Sequence, residues 1–93
     1  MRVVESKTAA KELDKIVEYL SQNFPINVLA GFLSEYDALV VMLSTFPNSY
    51  QKHVKEGSSY RRCVINKLTL VFYIVYPDRV VIRHIRDARS KLL

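Results

Sequence analysis

The stretch YRRCVINKLTLVFYIVYPDRVVIRHIRDAR, residues Tyr60 to Arg89, decides how this chain is read. It divides into three runs, residues 60–65, 68–76 and 79–86, dense in Val, Ile, Leu, Phe and Tyr. Branched and aromatic side chains at this density mark β-strands. Asn66-Lys67 is a two-residue hairpin signal, because Asn tolerates positive φ, and Pro77-Asp78 is a second turn. Three strands joined by tight turns form an antiparallel meander with one packed face and one outward face. Ideal alternation on the last strand puts Val81, Arg83, Ile85 and Asp87 on one side. Val80, Ile82, His84 and Arg86 then share the other.

Charge singles out the same region. Residues 1–59 hold six Lys/Arg against seven Asp/Glu, whereas residues 60–93 hold eight against two. The whole excess behind the net charge of +5 therefore lies in the last third. Six of those eight cations are arginine, whose planar fork suits phosphate and carboxylate. An anionic partner is the first inference, either nucleic acid or an acidic protein segment. The plainer alternative is a solvated basic sheet edge that resists aggregation.

Working outward, the segment 46–59 is polar and rich in turn formers, including Pro47, Asn48, Gly57 and Ser58. Before it, residues 26–45 read as a helix with a broad apolar face built from Leu29, Phe32, Leu33, Tyr36, Leu39, Val40 and Leu43. Asn23-Phe24-Pro25 breaks the chain, since proline disfavours helical geometry in the residue before it. A first helix spans about residues 7–22, with Ser6 as its N-cap and Ala9, Leu13, Ile16, Val17 and Leu20 on one face. Residues 2–5 form a short strand around Val3 and Val4. The expected architecture is α+β, in the order β-α-α-β-β-β. A helical hairpin packs on one face of a small antiparallel sheet, in a single domain over residues 1–93.

Composition narrows the classes further. A chain of 93 residues with 49% apolar and 25% charged side chains has enough core to fold and is not disordered. Its single cysteine, Cys63, allows neither an internal disulfide nor a cysteine-based zinc site. Neither metal nor cofactor is expected. No export signal is evident at the start, and the longest apolar run is the seven residues from Leu70 to Tyr76. A cytoplasmic protein with no membrane association is the expectation.

Three stretches together resemble the RelE/ParE superfamily, the toxins of bacterial type II toxin–antitoxin modules. The first is Ser6…Ala9…Leu13…Ile16…Tyr19-Leu20. The second is Pro25…Ala30…Phe32-Leu33…Leu39…Leu43…Pro47. The third runs from Arg61-Arg62-Cys63-Val64-Ile65-Asn66-Lys67 through Leu70…Phe72-Tyr73…Val75 to Asp78…Val80…Ile82…Asp87-Ala88-Arg89, and it looks like the ParE-like branch. The resemblance implies a growth-arresting, plasmid-stabilising toxin neutralised by a cognate antitoxin. ParE-like members poison DNA gyrase by binding it. RelE-like members are mRNA interferases, endoribonucleases that cut messenger RNA on the ribosome. A third alternative is an inactive paralogue or a basic binding module.

Each alternative names its residues. A metal-free ribonuclease needs a cation for the phosphate and groups that move protons. The candidates are Arg62, Arg86, Tyr73 and His84, the last being the only sheet residue with a near-neutral intrinsic pKa. Family nucleases often carry a histidine or tyrosine close to the chain end, and Ala88 to Leu93 contains neither. Gyrase capture needs only an adhesive surface, for which Arg61, Arg62, Lys67, Arg83, Arg86 and Arg89 are the candidates. Tyr60, Tyr73 and Tyr76 interleave with these arginines and suit either base stacking or ordinary strand packing. His53 is a loop residue and Cys63 a small core filler. The same surfaces would serve the antitoxin and possible self-association.

Overall fold

The computed structural model describes residues 1–50 and 59–87. The elements follow in the expected order: β1 (Arg2–Glu5), α1 (Lys7–Asn23), α2 (Ile26–Thr45), β2 (Arg61–Ile65), β3 (Thr69–Val75) and β4 (Arg79–Asp87). β2, β3 and β4 form the antiparallel meander. β1 then joins β4 in parallel, Val3 opposite Val80, so the sheet of order β1-β4-β3-β2 is mixed rather than purely antiparallel. The helical hairpin separates β1 from the meander in sequence, and such a long connection is what allows a parallel neighbour.

Local sequence sets the boundaries. Ser6 accepts the Ala9 N–H at 3.1 Å, capping α1, and its hydroxyl also donates to the Arg83 carbonyl at 3.1 Å. One side chain thus starts the helix and ties it to β4. Pro25 stands immediately before α2, and its carbonyl accepts the Val28 N–H at 3.0 Å. At the β2–β3 turn Asn66 and Lys67 both have positive φ, 51° and 60°. The loop runs one residue longer than the two-residue expectation, because Ile65 pairs with Thr69 and leaves Asn66, Lys67 and Leu68 between them.

Both helices pack on one face of the sheet. Ala9, Phe32, Tyr36, Leu39 and Leu43 meet Cys63, Ile65, Val71, Tyr73, Val80, Ile82 and Ile85 in a continuous core, flanked by Leu13, Ile16 and Leu20. Tyr36 donates a hydrogen bond to the Glu5 carboxylate, tying α2 to β1. By length and composition α2 could cross a membrane, with a mean hydropathy of 1.5. That apolarity is partly explained by the four residues it sends into the core, Phe32, Tyr36, Leu39 and Leu43. Leu33, counted in its apolar face from sequence, is exposed, as are Val41 and Met42.

Cys63 is buried in this core, and burial pushes its thiol up to about 12. A raised value in the folded state means that stability is complete below the unfolded thiol value near 9 and declines as pH rises toward 12. Iodoacetamide at pH 8 is therefore expected to leave Cys63 unmodified in the folded chain and to alkylate it quickly in urea. Equal rates in both states would show that the thiol is not buried.

Candidate functional site

The face of the sheet turned away from the helices is built by β2, β3 and β4, and its composition depends on one irregularity. Pairing between β3 and β4 runs Phe72 with His84, then Tyr73 with Ile82, so Arg83 has no ladder partner. This is a β-bulge, an extra residue that resets the alternation of the strand. Before it, Val80 and Ile82 face the core; after it, Ile85 does. The expectation that Ile85 shares a face with Val81 is overturned, because alternation holds only along an unbroken ladder. His84 and Arg86 are consequently turned to the outer face, where unbroken alternation from Val80 and Ile82 would have directed them into the core.

Cross-strand register then arranges the outer face in rows. Arg62, Phe72 and His84 form one row, and Val64, Leu70 and Arg86 the next. The ring of Tyr60, just before β2, lies 6.3 Å from the His84 ring. Arg62 is exposed, and no ion pair is found for Arg62 or Arg83 among the described residues.

Of the candidates read from sequence, Arg62, His84 and Arg86 come together on this face. Tyr73 does not. It is fully buried on the helix side, donates to the Pro47 carbonyl at 3.2 Å, and stacks edge-on against Tyr50. Burial raises its phenol to about 12. Arg61 alternates inward with it and donates to the Tyr50 carbonyl at 2.6 Å, so it anchors the chain at Tyr50. Lys67 sits exposed at the hairpin tip, and Arg83 lies at the bulge. His53 and Arg89 lie outside the described residues.

One functional neighbour escaped the sequence reading. Glu12 of α1 reaches the edge of β4 beyond the end of β1. Its Oε1 accepts the Ile85 N–H at 3.1 Å and lies 3.4 Å from His84 Nδ1, while Oε2 accepts from Arg86 Nε at 3.3 Å. Arg86 Nη2 also approaches His84 Nδ1 at 3.2 Å. Glu12 thus fixes both side chains that the bulge turns outward, and it offsets the Arg86 charge. A signal was present: Glu12 follows Ala9 by three and precedes Ile16 by four, which puts it on the flank of the apolar stripe. Glu12→Ala is expected to cost about 2 kcal/mol, because it strands a backbone donor and a guanidinium. Glu12→Gln, which keeps an acceptor, should cost less. Urea unfolding of both variants measures the difference.

The family described as "ParE toxin of type II toxin-antitoxin system, parDE" matches residues 3–92. No curated protein matches the chain. Among solved structures, the chromosomal ParDE system of P. aeruginosa aligns with a TM-score of 0.77 at 16% identity, over 96% of this chain and 97% of that one. A conserved hypothetical protein from Helicobacter pylori, HP0894, aligns at 0.58 and 18%, over 100% and 99%. A copper-bound mutant toxin from the same organism aligns at 0.67 and 17%, over 100% and 99%. At these identities the structures speak to the fold alone. Among the described residues of this chain, no group of three or more His, Cys, Asp and Glu side chains is placed to hold a metal ion.

Proposed function

The chain belongs to the ParE toxin family of type II toxin–antitoxin systems, and from that premise we propose that it arrests growth by capturing DNA gyrase with the outer face of its sheet. The observation that carries this reading is the cross-strand row of Arg62, Phe72 and His84 on the outer face, beside Arg86 and Tyr60. Poisoning by capture needs an adhesive, cationic surface and no proton-transfer set. Arginine and tyrosine are the residues that most often dominate interface energies. A positive face also speeds encounter with a target that carries DNA. This reading places the protein in the cytoplasm, with its target.

As a member of a toxin–antitoxin system the chain has an antitoxin partner. Two features would receive it. A cleft of about 280 Å³ is lined by Ile16, Tyr19, Leu20, Phe32 and Leu68, with Lys15 and Asp87 on its wall. β2 is an edge strand among the described residues, the position at which a partner strand would add. An acidic antitoxin segment would be drawn to the basic third of the chain.

A second reading is ribosome-dependent cleavage of messenger RNA. The observation in its favour is that Arg62, His84 and Arg86 share a face, which brings a phosphate-binding cation near an imidazole. Purified protein separates the two. Loss of supercoiling with trapped, cleaved DNA supports gyrase capture. Unchanged supercoiling, with messenger RNA cut only on translating ribosomes, establishes the ribonuclease. No growth arrest on induced expression would leave an inactive paralogue or a basic binding module.

A further inference from the structure

Glu12, His84 and Arg86 form one cluster at the edge of β4, and its hydrogens can be placed. Glu12 Oε1 accepts the Ile85 N–H at 3.1 Å, and Oε2 accepts from Arg86 Nε at 3.3 Å. His84 Nδ1 has two neighbours, Arg86 Nη2 at 3.2 Å and Glu12 Oε1 at 3.4 Å. They make opposite demands. A guanidinium nitrogen only donates, so it needs a lone pair on Nδ1; a carboxylate only accepts, so it needs a hydrogen there. In a neutral ring only one of the two is met. The arginine contact is the shorter, and 3.4 Å lies beyond the usual span of an N–H···O bond. Oε1 is moreover already engaged by Ile85. Asp87, the next acid along β4, stands apart from the cluster: it pairs in register with buried Thr69 and lines the cleft on the helix side.

We propose that Arg86 is a positioning residue, which holds the neutral His84 ring as the tautomer with its hydrogen on Nε2. That nitrogen lies across the ring from Nδ1 and has no partner among the described residues, and the side chain is 29% exposed. His84 therefore offers an outward N–H, a donor for an acceptor oxygen of whatever the face holds. It offers no lone pair there, so Nε2 cannot take a proton. A charged ring carries a hydrogen on Nε2 as well. The role of general base is thus closed at this nitrogen in both forms, while binding is served by both. Use of the donor on gyrase rests on the reading above; the tautomer does not.

Nitrogen NMR of the full chain, labelled in histidine, reads the tautomer directly. His53→Gln leaves a single histidine in the sequence. At about pH 9, above the ordinary imidazole range, the ring nitrogen without a hydrogen resonates well downfield of the one that bears it. The expected downfield nitrogen is Nδ1, identified because only Nε2 correlates strongly with both ring C–H protons. In Arg86→Ala the remaining neighbour of Nδ1 is a carboxylate, so the hydrogen should move to Nδ1 and the pattern should invert. A downfield Nε2 with Arg86 present would overturn the proposal, as would the same pattern with and without Arg86. The first arm leaves the cluster intact, so it decides even where Arg86→Ala fails to fold. Inhibition of gyrase supercoiling then tests the donor. His84→Ala should raise the concentration for half-inhibition by about 2- to 10-fold, the range for one hydrogen bond. His84→Gln, whose amide can place an N–H near Nε2, should recover most of that loss. Equal loss in the two variants would overturn the donor role. No inhibition by any of these proteins, with Nδ1 downfield, would overturn the gyrase reading and leave the tautomer standing.

Discussion

Tyr73→Ala is expected to destabilise the protein by about 3–5 kcal/mol, and Tyr73→Phe to leave growth arrest intact at a cost of only about 1 kcal/mol. The side chain is fully buried between the sheet and α2, so truncation opens a cavity that the sheet cannot collapse to fill. Removing the hydroxyl alone forfeits one hydrogen bond, to the Pro47 carbonyl at 3.2 Å. Urea unfolding gives the two costs, and induced expression of Tyr73→Phe gives the activity. The pair of variants separates a core residue from a catalytic one. Loss of growth arrest in a folded Tyr73→Phe protein would return Tyr73 to the list of functional groups. Its raised phenol value also has a sign to check. The neutral form is complete below pH 10, and stability should fall as pH rises from there toward 12. Tyr73→Phe should flatten part of that decline, with the buried Cys63 and Tyr36 sustaining the rest.

Replacing Arg62, Arg83 and Arg86 together with alanine is expected to abolish growth arrest while the protein stays folded. All three lie on β2 or β4 outside the core cluster. Arg62 and Arg83 have no ion pair among the described residues, so their loss should hardly affect stability. Arg86 is bound by Glu12 at 3.3 Å, and its removal should cost about 1–2 kcal/mol. Circular dichroism and urea unfolding of the triple variant verify the fold; expression in a bacterium reads the activity. A matched control removes three cations elsewhere, at Arg2, Lys7 and Lys11, all exposed. If position matters rather than total charge, the control should remain toxic. Full toxicity in the folded triple variant would move the working surface away from the sheet.

These expectations show where local reading succeeds. The periodicity of Ala9, Leu13, Ile16 and Leu20, the break at Pro25 and the turn at Asn66-Lys67 are local signals, and each element they announced is present within a residue or two of its expected ends. Tyr73 and Arg61 were assigned to the surface from their chemistry. The cross-strand pairing of Arg61 with Tyr73 and of Tyr73 with Ile82 places them on the core side instead. Strand alternation says that neighbours face opposite ways, but it does not say which set faces the helices.

The sequence by itself determined the order of the elements, the meander, the confinement of positive charge to residues 60–93 and the family. Only the tertiary structure decided which of those charges share the outer face. The bulge at Arg83 is a mismatch between two strands, so it has no signature within either one, yet it turns His84 and Arg86 outward. Glu12 acts on Ile85 from 73 positions away in the chain, and only the packing of α1 along the edge of β4 brings them within 3.1 Å. Tyr60 to Arg89 carries the charge, and the helix that precedes it by half the chain orients it.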